Sequence, residues 1–453
     1  MVTLATDATL GLTNLDDEIT VDELELEGEL PQWLGGSLLR TGPARWDLGE
    51  QTVNHWFDGL AMLHRFTIDG GRVSYANRFL RTKAFEGAKD GTVSYREFAT
   101  DPCRSAFQRV ASLFDPGFTD NANVNVAKIM GKWVALTETP MAVAFDPETL
   151  ETLGVTKIPA TTGGLAHPHG DGATALSMGV HMTGRPAYRL IADDRVVAKL
   201  PVRRPAYVHS FAMTERYAVL IEHPYTVNPI SIPLSAKPFI EHFEWRPEDG
   251  TRFVAIDRRS GRHVADWHGD PFFVFHNVNA FEDGEDIVID LCAYENAEIV
   301  PALGLQRLRA GEPIPKAYLE RFRLRAGGAV ERTRLSEESL ELPRIDYGRV
   351  NTKPYRYVWG TGAHSDFVDT IVKVDVTTGE TLTWSEGYPG EPVYVGRPGR
   401  DEEDDGVLLS VVLEPERGAS SMVVLDAATL TELARARVPH HIPFGFHGQF
   451  SRA

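Results

Sequence analysis

RFTIDGGRVSYANRF (residues 65–79) is a β-hairpin in sequence form. Apolar and polar residues alternate on both sides of Asp69-Gly70-Gly71-Arg72, and the glycine pair supplies the positive φ that a two-residue turn demands. Six later segments repeat the unit: VAFDPETLETLGV (143–155), RLIADDRVVAKL (189–200), VAIDRRSGRHVADW (254–267), FRLRAGGAVERTRL (322–335), VKVDVTTGETLTW (372–384) and VVLDAATLTELARA (423–436). One turn marker from each hairpin gives Asp69, Asp146, Asp194, Asp257, Ala326, Asp375 and Asp426, spaced 48 to 77 residues apart. A four-stranded propeller blade needs about 40–50 residues, with the excess going into loops on one face. The pattern therefore predicts an all-β chain, a seven-bladed β-propeller with long insertions, occupying residues 1–453 as one domain. The competing arrangement is a two-domain all-β protein whose turns are periodic by accident.

Composition narrows the function. The chain has 453 residues with 46 basic and 64 acidic side chains, a formal charge of −18. Nothing offers the phosphate-neutralising surface a nucleic acid requires. The densest acidic run, DEEDD at 401–405, reads as a solvated loop. Two cysteines, Cys103 and Cys292, form neither a disulfide framework nor a thiolate metal motif. The N-terminus has no basic, then apolar, leader pattern and no stretch reaches the roughly 20 apolar residues of a spanning helix. A reducing cytoplasmic setting is the expectation.

The repeat gives meaning to four histidines in apolar, strand-like contexts: His167 (GGLAHPHG), His209 (YVHSFAM), His276 (FVFHNVNAFE) and His447 (PFGFHGQF). Each follows its turn marker by 15 to 21 residues. In a propeller that slot is the inner strand of the next blade, so residues far apart in sequence converge on the axis. Glu341 and Glu391 occupy the same slot, 15 and 16 residues after Ala326 and Asp375. Glu138 (ALTETP) is a third candidate, off-register by a long insertion. Buried imidazoles need partners at both nitrogens. A metal satisfies one nitrogen and a glutamate the other. Four nitrogen ligands suit zinc, copper, iron or nickel. A closed tetrahedral zinc site and an octahedral site with two open positions both fit. His169 shares a strand face with His167, so spacing does not choose between them.

These same residues carry a resemblance. From GSLLRTGPARW (36–46) and HWFDGLAMLHRF (55–66), through TETP, AHPHGD, YVHSFAMT, FHNVNAFE, ELPRIDY, EPVYV and EEDDGVLLSVVL, to the terminal FHGQF, the chain resembles the carotenoid cleavage oxygenase family over nearly its whole length. The resemblance implies Fe(2+) held by His167, His209, His276 and His447, with Glu138, Glu341 and Glu391 beside the ligands. It also implies a dome of loops and short helices over the axis, and cleavage of one alkene bond by dioxygen into two carbonyl products. Stilbene-cleaving members resemble one another in a tyrosine and a lysine near the metal. Phe98 and Thr137 stand at the matching positions here, which points to an apolar polyene substrate. A stilbenoid cleaver, a non-oxidative retinoid isomerohydrolase and a non-catalytic carotenoid-binding propeller are the alternatives.

An apolar substrate needs an apolar route. FQRVASLF (107–114) places Phe107, Val110, Ala111 and Phe114 at helical spacing. Residues 227–243 string Val227, Ile230, Ile232, Leu234, Phe239, Ile240 and Phe243 among prolines, with no clear strand. If exposed, both segments form a patch for peripheral membrane contact; otherwise they are dome core.

Overall fold

Each of the seven hairpins joins the two outer strands of a blade in the computed structural model, which describes residues 7–93, 95–101, 118–157, 163–170, 175–235, 237–364 and 367–452. The strands form seven antiparallel sheets of four to six strands, taken up in chain order. Three turns show why the hairpins are readable. Gly70 and Gly71 have φ of 54° and 80°. Asp146 and Asp426 cap wider turns, accepting from the backbone N–H groups two and three residues on.

Two strand pairings close the ring. The C-terminal strand Gly448–Arg452 pairs with Gly36–Arg45, and Glu25–Gly28 pairs with Glu432–Arg437. The first pairing makes the chain's end the inner strand of the first blade and carries His447 to the axis. Middle strands read as apolar runs because neighbouring blades cover both faces. Gly406–Glu414, GVLLSVVLE, is buried except at its last residue. The outer strand Val330–Ser339, VERTRLSEES, is mostly exposed along its polar half. Apolar clusters fill the seams between blades; one joins Val219 and Phe253 of the fourth blade to Ile287 and Ile289 of the fifth.

The largest cluster joins the dome, around Trp56, Phe85, Phe243, Ile299 and Leu305, to strand residues such as Val288, Val374 and Leu413. Two expectations change here. Residues 227–243 are bracketed by a two-stranded ribbon, Tyr225–Val227 against Phe243–Trp245. Val227, Ile240 and Phe243 are buried, and Ile232 and Phe239 pack against the dome, leaving Ile230 exposed at 70%. Most of that apolar string is therefore core, because the ribbon turns it inward. The 107–114 segment lies outside the described residues. The acidic run is also more than solvated loop: Asp404 pairs with the buried Lys373, and Glu403 accepts from the Arg356 and Tyr357 N–H groups. Among the described residues no helix is long and apolar enough to cross a membrane.

Candidate metal centre

His167, His209, His276 and His447 meet on the axis, one ligand nitrogen from each lying within 4.8 Å of the others. Local irregularities aim them. His276 lies in Phe273–Asp283, where the register slips by one residue between Val274 and Asn277. Such a bulge turns a side chain out of the ladder. Ser210, beside His209, donates to the Phe275 carbonyl at 2.6 Å and accepts from the Asn277 N–H at 3.1 Å. It thereby ties the segment bearing His209 to the strand bearing His276. His169 is turned away, against the Phe211 carbonyl and the Tyr347 hydroxyl. The two histidines of AHPH are thus separated: the first is central, the second structural.

Three carboxylates hold three of the rings. Glu138 pairs with Nδ1 of His209, Glu341 with Nδ1 of His276 at 2.5 Å, and Glu391 with Nδ1 of His447 at 2.7 Å. Glu341 and Glu391 sit in inner-strand positions of the sixth and seventh blades. Glu138 does not follow the first hairpin into an inner strand. It lies on the loop between Lys132–Leu136 and Met141–Phe145, which returns to the same face of the propeller. That is the physical reason its offset falls out of register. Tyr207 adds a hydrogen bond from its hydroxyl to Glu138 at 2.7 Å. Arg344 donates to Glu391 at 2.9 Å and to the Gly448 carbonyl. Sequence spacing flagged neither Tyr207 nor Arg344, though both lie within three residues of a flagged position.

The electrostatics fix the tautomers. Burial alone would push the Glu391 carboxyl up, but the Arg344 guanidinium and His447 outweigh it and hold it well below the usual carboxylate range. Glu341 is lowered as well, His276 overcoming its burial. An ionised carboxylate only accepts, so the proton of each paired ring sits on Nδ1 and Nε2 presents a lone pair. Burial pushes His447 down to about 4 and His167 well below its ordinary value. The four rings aim Nε2 atoms at one another: 2.9 Å from His167 to His209, 3.2 Å from His209 to His276 and 3.0 Å from His276 to His447. Converging lone pairs repel unless a cation lies between them. Ligands at right angles around an ion about 2.1 Å away lie about 3.0 Å apart, whereas tetrahedral ligands need about 3.4 Å. The donor set therefore fits a divalent metal with coordination positions left open.

Above the histidines is a cavity of about 1170 Å³. Phe98 and Thr137 both line it, as do His209, His276 and His447. Its wall is aromatic: Phe57 packs on Phe98 and on Phe446 at 5.2 Å each, and Phe98 on Tyr207 at 5.7 Å. One polar lining residue, Glu97, is held well above the usual carboxylate range by burial and then by Asp58. Nothing in the spacing of REFAT distinguished Glu97, because its role comes from burial against Thr119.

Residues 12–452 match the family described as "Retinal pigment epithelial membrane protein". A mitochondrial carotenoid-cleaving dioxygenase of Mustela putorius furo is 33% identical, over 97% of this chain and 95% of its own length. A beta,beta-carotene 15,15'-dioxygenase of Mus musculus is 32% identical, over 96% and 90%. Among solved structures, a variant of the Synechocystis apocarotenoid oxygenase superimposes with a TM-score of 0.89 at 26% identity, covering 99% of both chains. The cobalt-substituted form of that protein gives 0.87 at 26%, again over 99% of both chains.

Proposed function

The chain belongs to the carotenoid cleavage oxygenase family, and from that premise we propose a non-haem Fe(II) dioxygenase that splits one carbon–carbon double bond of a carotenoid or apocarotenoid. The products are two carbonyl compounds, each taking one atom of dioxygen at a former alkene carbon. His167, His209, His276 and His447 hold the ion, and Glu138, Glu341 and Glu391 fix three of the imidazoles by taking their Nδ1 protons. When bound, Fe(II) supplies the one-electron chemistry that lets dioxygen react with an alkene.

The observation that carries this reading is the convergence of four Nε2 lone pairs, three of them from histidines on the wall of an aromatic cavity. The chain's own contribution is placement. Phe57, Phe98, Phe275 and Phe446 offer flat apolar surfaces that hold a polyene and exclude water. Thr137 and Phe98 meet the substrate without a phenol-binding pair, which favours a polyene over a hydroxylated stilbene. Residues 1–453 act as one domain, because ring closure at Gly448–Arg452 makes the last residues part of the first blade. The setting is cytoplasmic, with peripheral membrane contact around Ile230 beside the cavity.

The test is product analysis. Iron-loaded protein is incubated under oxygen with a panel of carotenoids, apocarotenoids and a phenolic stilbene, and carbonyl products are separated and identified. Paired aldehydes or ketones from a polyene are expected. Cleavage of the stilbene alone overturns the reading, as does an isomerised alcohol formed without oxygen uptake.

A further inference from the structure

Arg40 lies on Gly36–Arg45, opposite Gly448 in the closing ladder, and is only 5% exposed. Its side chain runs along residues 446–448. Nη2 donates to the Phe446 carbonyl at 3.3 Å, and a Cβ on Gly448 would meet its Cγ. Nη1 is buried and has no hydrogen-bond partner. Besides its burial, Arg40 feels two charges, the carboxylate of Glu391 and the opposing guanidinium of Arg344, and both oxygens of that carboxylate are engaged. Oε1 takes the His447 proton, and Oε2 takes the Gly448 N–H and Arg344. Two guanidiniums therefore share one carboxylate. A guanidinium does not shed its proton, and a buried charge without a counter-charge is strongly destabilising.

Beside this guanidinium is a second cavity, of about 30 Å³, lined by Arg40, Thr41, His64, Gly390 and Gly445 among others. Gly390 is what opens it to Arg40. A Cβ there would stand 3.2 Å from Nη1 and 3.0 Å from Nη2. Among the described residues the cavity contributes no carboxylate. His64, on its wall, is buried and hydrogen-bonded through Nδ1 to the Tyr75 hydroxyl at 2.9 Å. A water molecule needs about 10–15 Å³ of such cavity volume, so the cavity also admits a monatomic anion somewhat larger than water.

We propose that this cavity binds one small monovalent anion, a halide such as chloride, on Nη1 of Arg40 behind His447. A water molecule would fill the space and satisfy the N–H but leave the excess positive charge unmatched. The charge imbalance lies among Arg40, Arg344 and Glu391, so the site is present whether or not a metal is bound at the histidines. Its failure and that of the metal assignment are therefore separable.

Crystals of the full chain, metal-loaded and metal-free, are soaked in sodium bromide, and anomalous scattering is recorded at the bromine edge. A bromide peak in hydrogen-bond contact with Arg40 Nη1 is expected in both. In Gly390→Ala, whose methyl enters the cavity, the peak is expected to vanish. A water refining at that position with no bromide signal overturns the proposal, and so does a peak that persists unchanged in the Gly390→Ala crystal. In solution, exchanging gluconate for chloride at constant ionic strength should raise the Tm of the parent by a few degrees. It should leave Gly390→Ala unmoved. Equal parent Tm values in the two salts also count against the site.

Discussion

His447 donates its Nδ1–H to Glu391 at 2.7 Å, across 56 intervening steps of sequence within one closed ring. The contact is buried at both ends, and Glu391 is also the partner of Arg344. One carboxylate thus orients an imidazole and neutralises a guanidinium. Glu341 has the first task with His276 and, among the described residues, no arginine ion pair.

The two glutamates should separate when each is replaced by glutamine. Glu341→Gln and Glu391→Gln should each weaken metal binding by about 10- to 100-fold, the usual effect of losing a partner behind a ligand. Glu391→Gln should also destabilise the metal-free protein, by up to about 3 kcal/mol, because Arg344 keeps its charge and loses its counter-ion. Metal competition titrations and urea unfolding of the apo forms measure the two effects. An equal loss of apo stability in both variants would remove Arg344 from the explanation.

Removing a ligand is the harsher change. His276→Ala opens the ring between His209 and His447, whose Nε2 atoms each lie within 3.2 Å of His276. Purified under anaerobic iron loading, the variant should retain little iron and turn over no substrate. Stoichiometric iron by elemental analysis would contradict the role assigned to His276.

The propeller was legible because its outer hairpins are local. Asp-capped and Gly-Gly turns obey short-range backbone rules, so each blade announces itself within about fifteen residues. The inner-strand slot then placed six of the seven residues that converge on the axis, His167, His209, His276, His447, Glu341 and Glu391, all read by offset. Glu138 escaped that rule because it reaches the axis from a loop between second and third strands. Arg40, Arg344 and Tyr207 escaped for another reason: their roles arise from burial against partners in other blades, which no local spacing encodes. The apolar string at 227–243 misled in part, since hydrophobicity alone does not say whether a ribbon folds it inward.

Buried neutral histidines away from the metal make stability depend on pH. Burial pushes His223 down to about 3 and His55 to about 4, against about 6.5 in an unfolded chain. A depressed folded pKa gives stability that is present above 6.5 and lost as pH falls towards the folded value. Asp58, pushed up to about 6 by burial, acts in the opposite sense, so the readable quantity is a difference. His223→Gln does not take up the extra proton on unfolding. Its stability deficit relative to the parent should shrink by about 1.4 kcal/mol per pH unit below pH 6. Urea midpoints of both metal-free proteins between pH 7 and 4.5 give the slope; parallel curves would refute the buried neutral state.

Substrate choice should follow the cavity wall. Phe98 is packed between Phe57 and Tyr207, and Thr137 adjoins Glu138. Introducing Phe98→Tyr with Thr137→Lys adds two polar groups that a hydrocarbon cannot satisfy, each costing about 1–3 kcal/mol when left unpaired. Polyene kcat/KM should fall at least tenfold, while a phenolic stilbene gains turnover. Undiminished polyene cleavage would show that neither side chain faces the substrate.

Membrane contact, if it occurs through the described dome, has one prominent anchor. Ile230 is 70% exposed, precedes the short helix Ser231–Leu234 and lines the cavity together with Ile232 and Phe239. A single exposed isoleucine contributes roughly 2 kcal/mol on transfer from water, enough for a reversible association when neighbouring apolar groups join it. Ile230→Asp removes that gain and adds a charge at the interface without disturbing a buried contact. The variant should therefore keep its Tm, yet lose most of its co-sedimentation with liposomes. Sedimentation equal to that of the parent would assign residues 227–243 wholly to the dome core and leave entry of the substrate to another face.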